Sequence, residues 1–136
     1  NAPEGPVLAC YPAPAMKEGS STFSMQRLVR ATEISLAGLA AAWRGEAAFR
    51  LETAAAVVLV PLGLWLGESG VERALLAASV LAVLVVELLN SAVEAVVDCA
   101  SPGYSKLAKR AKDLGSAAVM AALGLAALVW AAVLIS

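Results

Sequence analysis

The residues able to do chemistry gather in one short stretch: Glu87, Asn90, Ser91, Glu94 and Asp98. At about 100° per residue all five fall within a stripe roughly 100° wide on one helix face, and the rest of that helix is apolar. Carboxylates beside an amide and a hydroxyl suit three tasks: holding a hard cation, accepting a proton and orienting a phosphorylated ligand. The competing reading is helix–helix glue, with polar side chains hydrogen-bonding across a bundle. Two glutamates and an aspartate weigh against it, because such bonding does not need three negative charges.

Further charges sit at the edges of apolar runs. Glu46 and Arg50 are one helical turn apart, and Lys106, Lys109, Arg110, Lys112 and Asp113 precede the last apolar run. Two carboxylates from different helices, such as Glu46 and Glu94, could share a divalent cation, and Mg²⁺ prefers such hard oxygens together with substrate phosphates. The lysines and arginines could hold phosphates. For Lys106 and Lys109, contact with anionic lipid is an equal alternative. The chain contains no histidine, which excludes His-based acid–base catalysis and most zinc sites. Neither a Walker A loop nor a protein-kinase signature is present.

These residues must be positioned by a membrane protein. Of the 136 residues, 60% are hydrophobic and only 15% charged, with a mean hydropathy of +0.78. A soluble domain carries about 45–50% apolar and about 25% charged residues. The net charge of −1 offers no field to attract nucleic acid. Cys10 and Cys99 lie far apart without CxxC spacing and read neither as a disulfide nor as a metal framework.

Residues 1–22 hold four of the six prolines and read as a disordered tail, leaving 23–136 as the functional domain. From 24 to 45, Met25, Leu28, Val29, Thr32, Leu36, Leu39 and Trp43 recur at three- and four-residue steps. This pattern predicts an amphipathic helix lying along the membrane surface. Three spans follow, at about 47–67, 71–98 and 107–135, with turns at 67–70 and 101–103. Pro61 lies inside the first span and should bend it. The fold expected is an all-α membrane protein of one surface helix and three transmembrane helices.

Nine of the ten basic residues precede the first span or lie between the second and third, Arg73 being the exception. The N-terminus and the 99–112 loop should therefore be cytoplasmic, with Trp43 at the inner interface and Trp65 and Trp130 at the outer one. Glu87 lies 11 residues before Asp98, roughly 16 Å along the helix axis, so the acid row runs from the cytoplasmic surface toward mid-membrane. The outer half of that helix carries no charge until Arg73 and Glu72. A channel or transporter needs polar groups across the full thickness. A one-leaflet row suits an enzyme whose water-soluble reagent meets a membrane-borne one.

From about Arg27 to the C-terminus the chain resembles the prokaryotic integral-membrane diacylglycerol kinase family. The resemblance rests on residues 42–50 (AWRGEAAFR), 87–98 (ELLNSAVEAVVD) and 111–119 (AKDLGSAAV), and the spacing between these blocks also fits. The middle block is the most specific. Ile34, Leu51 and Cys99 depart from residues common in the family: an aromatic, a polar and a basic one.

The resemblance implies a homotrimer that transfers the γ-phosphoryl group of Mg·ATP to diacylglycerol, giving phosphatidic acid at the inner membrane, with sites shared between protomers. It implies Glu87 as general base and Glu46 and Glu94 as Mg²⁺ ligands. Arg27, Glu46, Asn90, Glu94, Tyr104, Lys112 and Asp113 would meet the nucleotide and its metal. Arg27, Arg50, Glu87 and Ser116 would meet the lipid. The depth of Glu87, in the drier part of the row, agrees with a carboxylate that takes a hydroxyl proton. The alternatives are an undecaprenol kinase built on the same motifs and a non-enzymatic small helical assembly, which the acid row disfavours.

Overall fold

A computed structural model of the protein describes residues 25–103 and 105–135. The tail at 1–22 and Tyr104 lie outside the described residues. The described chain is all helical: α1 (Met25–Gly45), α2 (Ala47–Leu66), α3 (Gly70–Ala100) and α4 (Lys106–Ile135). These bounds lie within one or two residues of the periodicity reading.

Three of the helices, α2, α3 and α4, are long and apolar enough to cross a membrane. At about 1.5 Å per residue, the 20 residues of α2 match the roughly 30 Å hydrocarbon core. The 31 residues of α3 and 30 of α4 exceed it by about ten residues each. The surplus lies at the end where α3 stops and α4 begins, and it carries Glu94, Asp98, Lys106, Lys109, Lys112 and Asp113.

The helix ends have local causes. Ser69 caps α3: its hydroxyl accepts from the Glu72 backbone N–H at 3.2 Å, and the Glu72 carboxylate reaches back to the backbone N–H of Ser69. Glu46 separates α1 from α2 with an extended backbone, φ −107° and ψ 115°. The Arg50 guanidinium reaches back across this break and donates to the Trp43 carbonyl at 3.0 Å and the Arg44 carbonyl at 3.4 Å. α2 continues as a helix through Pro61.

The bundle is built around α3, which packs most extensively against α4 and next against α2, while α1 touches α2 only slightly. Leu76, Val80 and Val83 are buried at steps of four and three, and Phe49, Ala56 and Gly63 line α2 at steps of seven. Gly63 permits a close approach of three helices: a Cβ there would stand 2.9 Å from Leu76 Cβ and 3.2 Å from the Trp130 ring. Trp130 ties α4 to α3 by donating its indole N–H to the Leu76 carbonyl at 3.3 Å. Among the described residues α4 buries none, and Leu114, Met120, Leu125 and Leu128 are all exposed on the single chain. Water is a poor solvent for such a surface; lipid or further protein must cover it.

One sequence reading is corrected. Cys99 is disulfide-bonded, although the wide spacing of the cysteines had suggested no such bond; the other half lies outside the described residues. Distance along a chain restricts pairing only weakly, because loop-closure entropy grows slowly with loop length.

Candidate active site

The buried stripe of α3 changes character along its length. Leu76, Val80 and Val83 continue into Glu87, which is only 4% exposed and is the one buried charged residue among those described. Asn90, Ser91 and Glu94 follow on the same face and are half-buried. The face that packs the bundle at one end thus presents chemistry at the other.

A cavity of about 360 Å³ opens there, lined by Glu46, Glu87, Asn90, Glu94, Ser116 and Met120 among others. Four structural sources meet in it. Glu46 comes from the break between α1 and α2; Ala48 comes from α2; the row comes from α3; Ser116 and Met120 come from α4. Residues up to 77 positions apart in sequence, from Glu46 to Leu123, therefore share one space.

Inside the cavity Asn90 donates through Nδ2 to Glu94 Oε1 at 3.3 Å. Its other amide atom, Oδ1, is turned to Gly115, where any Cβ would collide with it. Asn90 Oδ1, Ser91 Oγ and Glu52 Oε2 are buried without a hydrogen-bond partner. Buried polar atoms are nearly always paired, and of these three residues Asn90 lines the cavity.

Glu87 lies within electrostatic reach of Glu46, Glu94 and Glu52. Four carboxylates thus concentrate negative charge in a poorly solvated space, and a cation or a proton is needed to offset it. Glu52 is the residue that sequence reasoning missed. Its signal was present: at about 100° per residue it falls on the same side of α2 as Phe49 and Ala56, the side that faces α3.

A second cavity of about 300 Å³ lies at the junction of α3 and α4, lined by Asp98, Ser101, Gly103, Ser105, Lys109 and Lys112 among others. Lys112 Nζ pairs with Asp98 Oδ1 at 2.6 Å, and Lys109 Nζ pairs with Asp113 Oδ2 at 2.6 Å. Lys112 is also within electrostatic reach of Glu94, which lines the first cavity.

The structure therefore brings Glu46, Glu87, Asn90, Glu94 and Ser116 together and places Lys112 and Asp113 beside them. Arg50 is elsewhere, on the carbonyls at the end of α1. Arg27 lies on exposed α1, outside the cavity lining. The donor set fits Mg²⁺. Glu46 and Glu94 offer hard carboxylate oxygens in one cavity, and among the described residues no group of three or more His, Cys, Asp or Glu side chains forms a complete cage. A magnesium site of one or two carboxylates finished by substrate phosphates has this composition.

Comparison with known proteins agrees with the geometry. Residues 33–134 match the family described as prokaryotic diacylglycerol kinase. A protein of Escherichia coli named diacylglycerol kinase is 45% identical over 111 residues, covering 82% of this chain and 91% of that one. One of the same name from Pseudomonas aeruginosa is 50% identical over 111 residues, covering 82% and 90%. Another from Haemophilus influenzae is 45% identical over 113 residues, covering 83% and 96%.

Proposed function

The chain belongs to the prokaryotic diacylglycerol kinase family, and on that premise we propose that its cavity transfers the γ-phosphoryl group of ATP to the free hydroxyl of diacylglycerol. The protein is a diacylglycerol kinase of a bacterial membrane. The observation that carries the site assignment is the meeting of Glu46, Glu87, Asn90, Glu94 and Ser116 in one space.

In this reading the diacylglycerol hydroxyl oxygen attacks the γ-phosphorus, the bond from that phosphorus to the β–γ bridging oxygen breaks, and ADP leaves. Glu87 accepts the hydroxyl proton. Its burial keeps water from competing for the transferred group. Glu46 and Glu94 would hold Mg²⁺, and Asn90 fixes the Glu94 carboxylate through its 3.3 Å hydrogen bond. When bound, Mg²⁺ supplies charge neutralisation to the phosphates, which is the main demand of phosphoryl transfer. Lys112 and Asp113 border the nucleotide at the α3–α4 mouth, and Tyr104 is the further residue assigned to nucleotide contact. Ser116, on the cavity wall, meets the lipid. Arg27 and Arg50 are assigned to lipid contact, and Arg50 also secures the α1–α2 break that presents Glu46.

The surrounding architecture follows. α1 lies along the cytoplasmic face of the inner membrane, and three copies pack through the exposed apolar faces of α4 and its neighbours. Protomers share sites, because one chain leaves its cavity open on the side that α2 and α4 do not cover.

The test is ATP consumption by the purified protein in mixed micelles with Mg²⁺, comparing a short-chain diacylglycerol with undecaprenol. Turnover with diacylglycerol and little with undecaprenol is expected. The reverse would move the acceptor to a polyprenol. Folded oligomer inactive with both would overturn the reading.

A further inference from the structure

The acid row of α3 has four carboxylate or amide members below Val83, and three of them, Glu87, Asn90 and Glu94, line the main cavity. Asp98, the fourth, does not. It sits one turn beyond Glu94 on the same face, about 6 Å along the axis. Its carboxylate accepts from Lys112 Nζ at 2.6 Å.

Lys112 thus stands between two carboxylates of one helix face. It is bonded to Asp98 and within electrostatic reach of Glu94. A lysine ammonium is a compact charge on a flexible stem, and nothing in its own chemistry prefers one of these partners to the other. The neighbouring carboxylate on α4, Asp113, is already engaged by Lys109 at 2.6 Å. Without Asp98, Glu94 is the other carboxylate within electrostatic reach of Lys112, and a Lys112–Glu94 pair would have to be broken whenever Glu94 was needed for a metal ion.

We infer that Asp98 is a positioning residue: it holds Lys112 in the α3–α4 cavity and off Glu94, leaving Glu94 free for the cation that accompanies the nucleotide. The inference rests on the kinase reading of the site. Asp98 touches no reacting atom. It acts through Lys112, and the placement matters before nucleotide binds, since incoming phosphates offer the ammonium a stronger partner. Loss of Asp98 should therefore weaken nucleotide and Mg²⁺ binding more than it slows the saturated enzyme.

The experiment compares wild type, Asp98→Asn, Asp98→Ser and Asp98→Glu as folded oligomers in mixed micelles. Two quantities are read: steady-state kcat and KM for Mg·ATP at saturating diacylglycerol, and equilibrium binding of a non-hydrolysable ATP analogue across a Mg²⁺ titration. For a partly exposed pair, Asp98→Asn and Asp98→Ser should each raise KM and the Mg²⁺ midpoint about two- to fivefold, with kcat within about twofold of wild type. Asp98→Glu should restore both. In a Lys112→Met background, Asp98→Asn should add no further loss of analogue binding, because the two residues act as one unit.

Wild-type KM and Mg²⁺ midpoint in both neutral variants would overturn the inference. So would a loss of the same size in the Lys112→Met background, which would show Asp98 acting without Lys112. Failure of the kinase reading is separate: it appears as wild-type protein that turns over no lipid.

Discussion

Glu87 is held at 4% exposure by the packing of α3, and that burial shapes what its substitution does. Glu87→Gln keeps the size and the burial but removes the proton acceptor. Its kcat should fall by about 10²–10⁴-fold, the range typical of a general base, with analogue binding and oligomer size unchanged. Full activity of this variant would remove Glu87 from the proton transfer. Glu94→Gln removes a carboxylate of the proposed metal site and leaves the Asn90 hydrogen bond possible. It should abolish turnover and also the Mg²⁺ dependence of analogue binding, measured on the same micelles. A stable and fully active Glu94→Gln protein would sink the metal assignment. Glu87, Asn90 and Glu94 were all legible from spacing, because one helix carries them at one face. Glu52 was not singled out, because its company on α2 is apolar and its partners are on α3.

At the scale of elements, two glycines govern how closely the helices meet. Gly115 of α4 faces the Asn90 amide of α3 so closely that a Cβ would strike it. Gly115→Ala should therefore push Asn90 off Glu94 and cut activity at least tenfold while the helices still form, an outcome read by turnover alongside circular dichroism. Gly63→Ala acts at the far end of the bundle, where the new Cβ would press on Leu76 Cβ at 2.9 Å and the Trp130 ring at 3.2 Å. Overpacking of this kind costs about 1–3 kcal/mol. The expected result is a lower thermal midpoint with a nearly normal KM at low temperature; an unchanged midpoint would mean the three helices separate there without cost. The contrast tests whether the two ends of α3 have separate duties. Helix existence and bounds were readable from periodicity and turn residues, whereas neither glycine announces in sequence which side chain it must admit.

At the scale of the whole molecule, the single chain leaves most of its large apolar side chains exposed, including Leu114 at 62% and Met120 at 70% beside the cavity wall. Native mass spectrometry from detergent should give three copies of the 13.8 kDa chain. Monomers that retain full turnover would overturn both the trimer and the sharing of sites.

The sequence by itself determined the four helices, the membrane as solvent, and the grouping of carboxylates on one face of α3. These depend on composition and on a 3.6-residue period, both local properties. Only the tertiary structure decided the rest. It placed Glu46 in a helix break opposite α3, set Glu52 against Glu87, gave Arg50 to the backbone carbonyls of α1, and paired Lys112 with Asp98. Each of these joins groups on different helices or across a break, and such encounters are settled by which faces pack together. Periodicity along one helix carries no record of its neighbour's rotation.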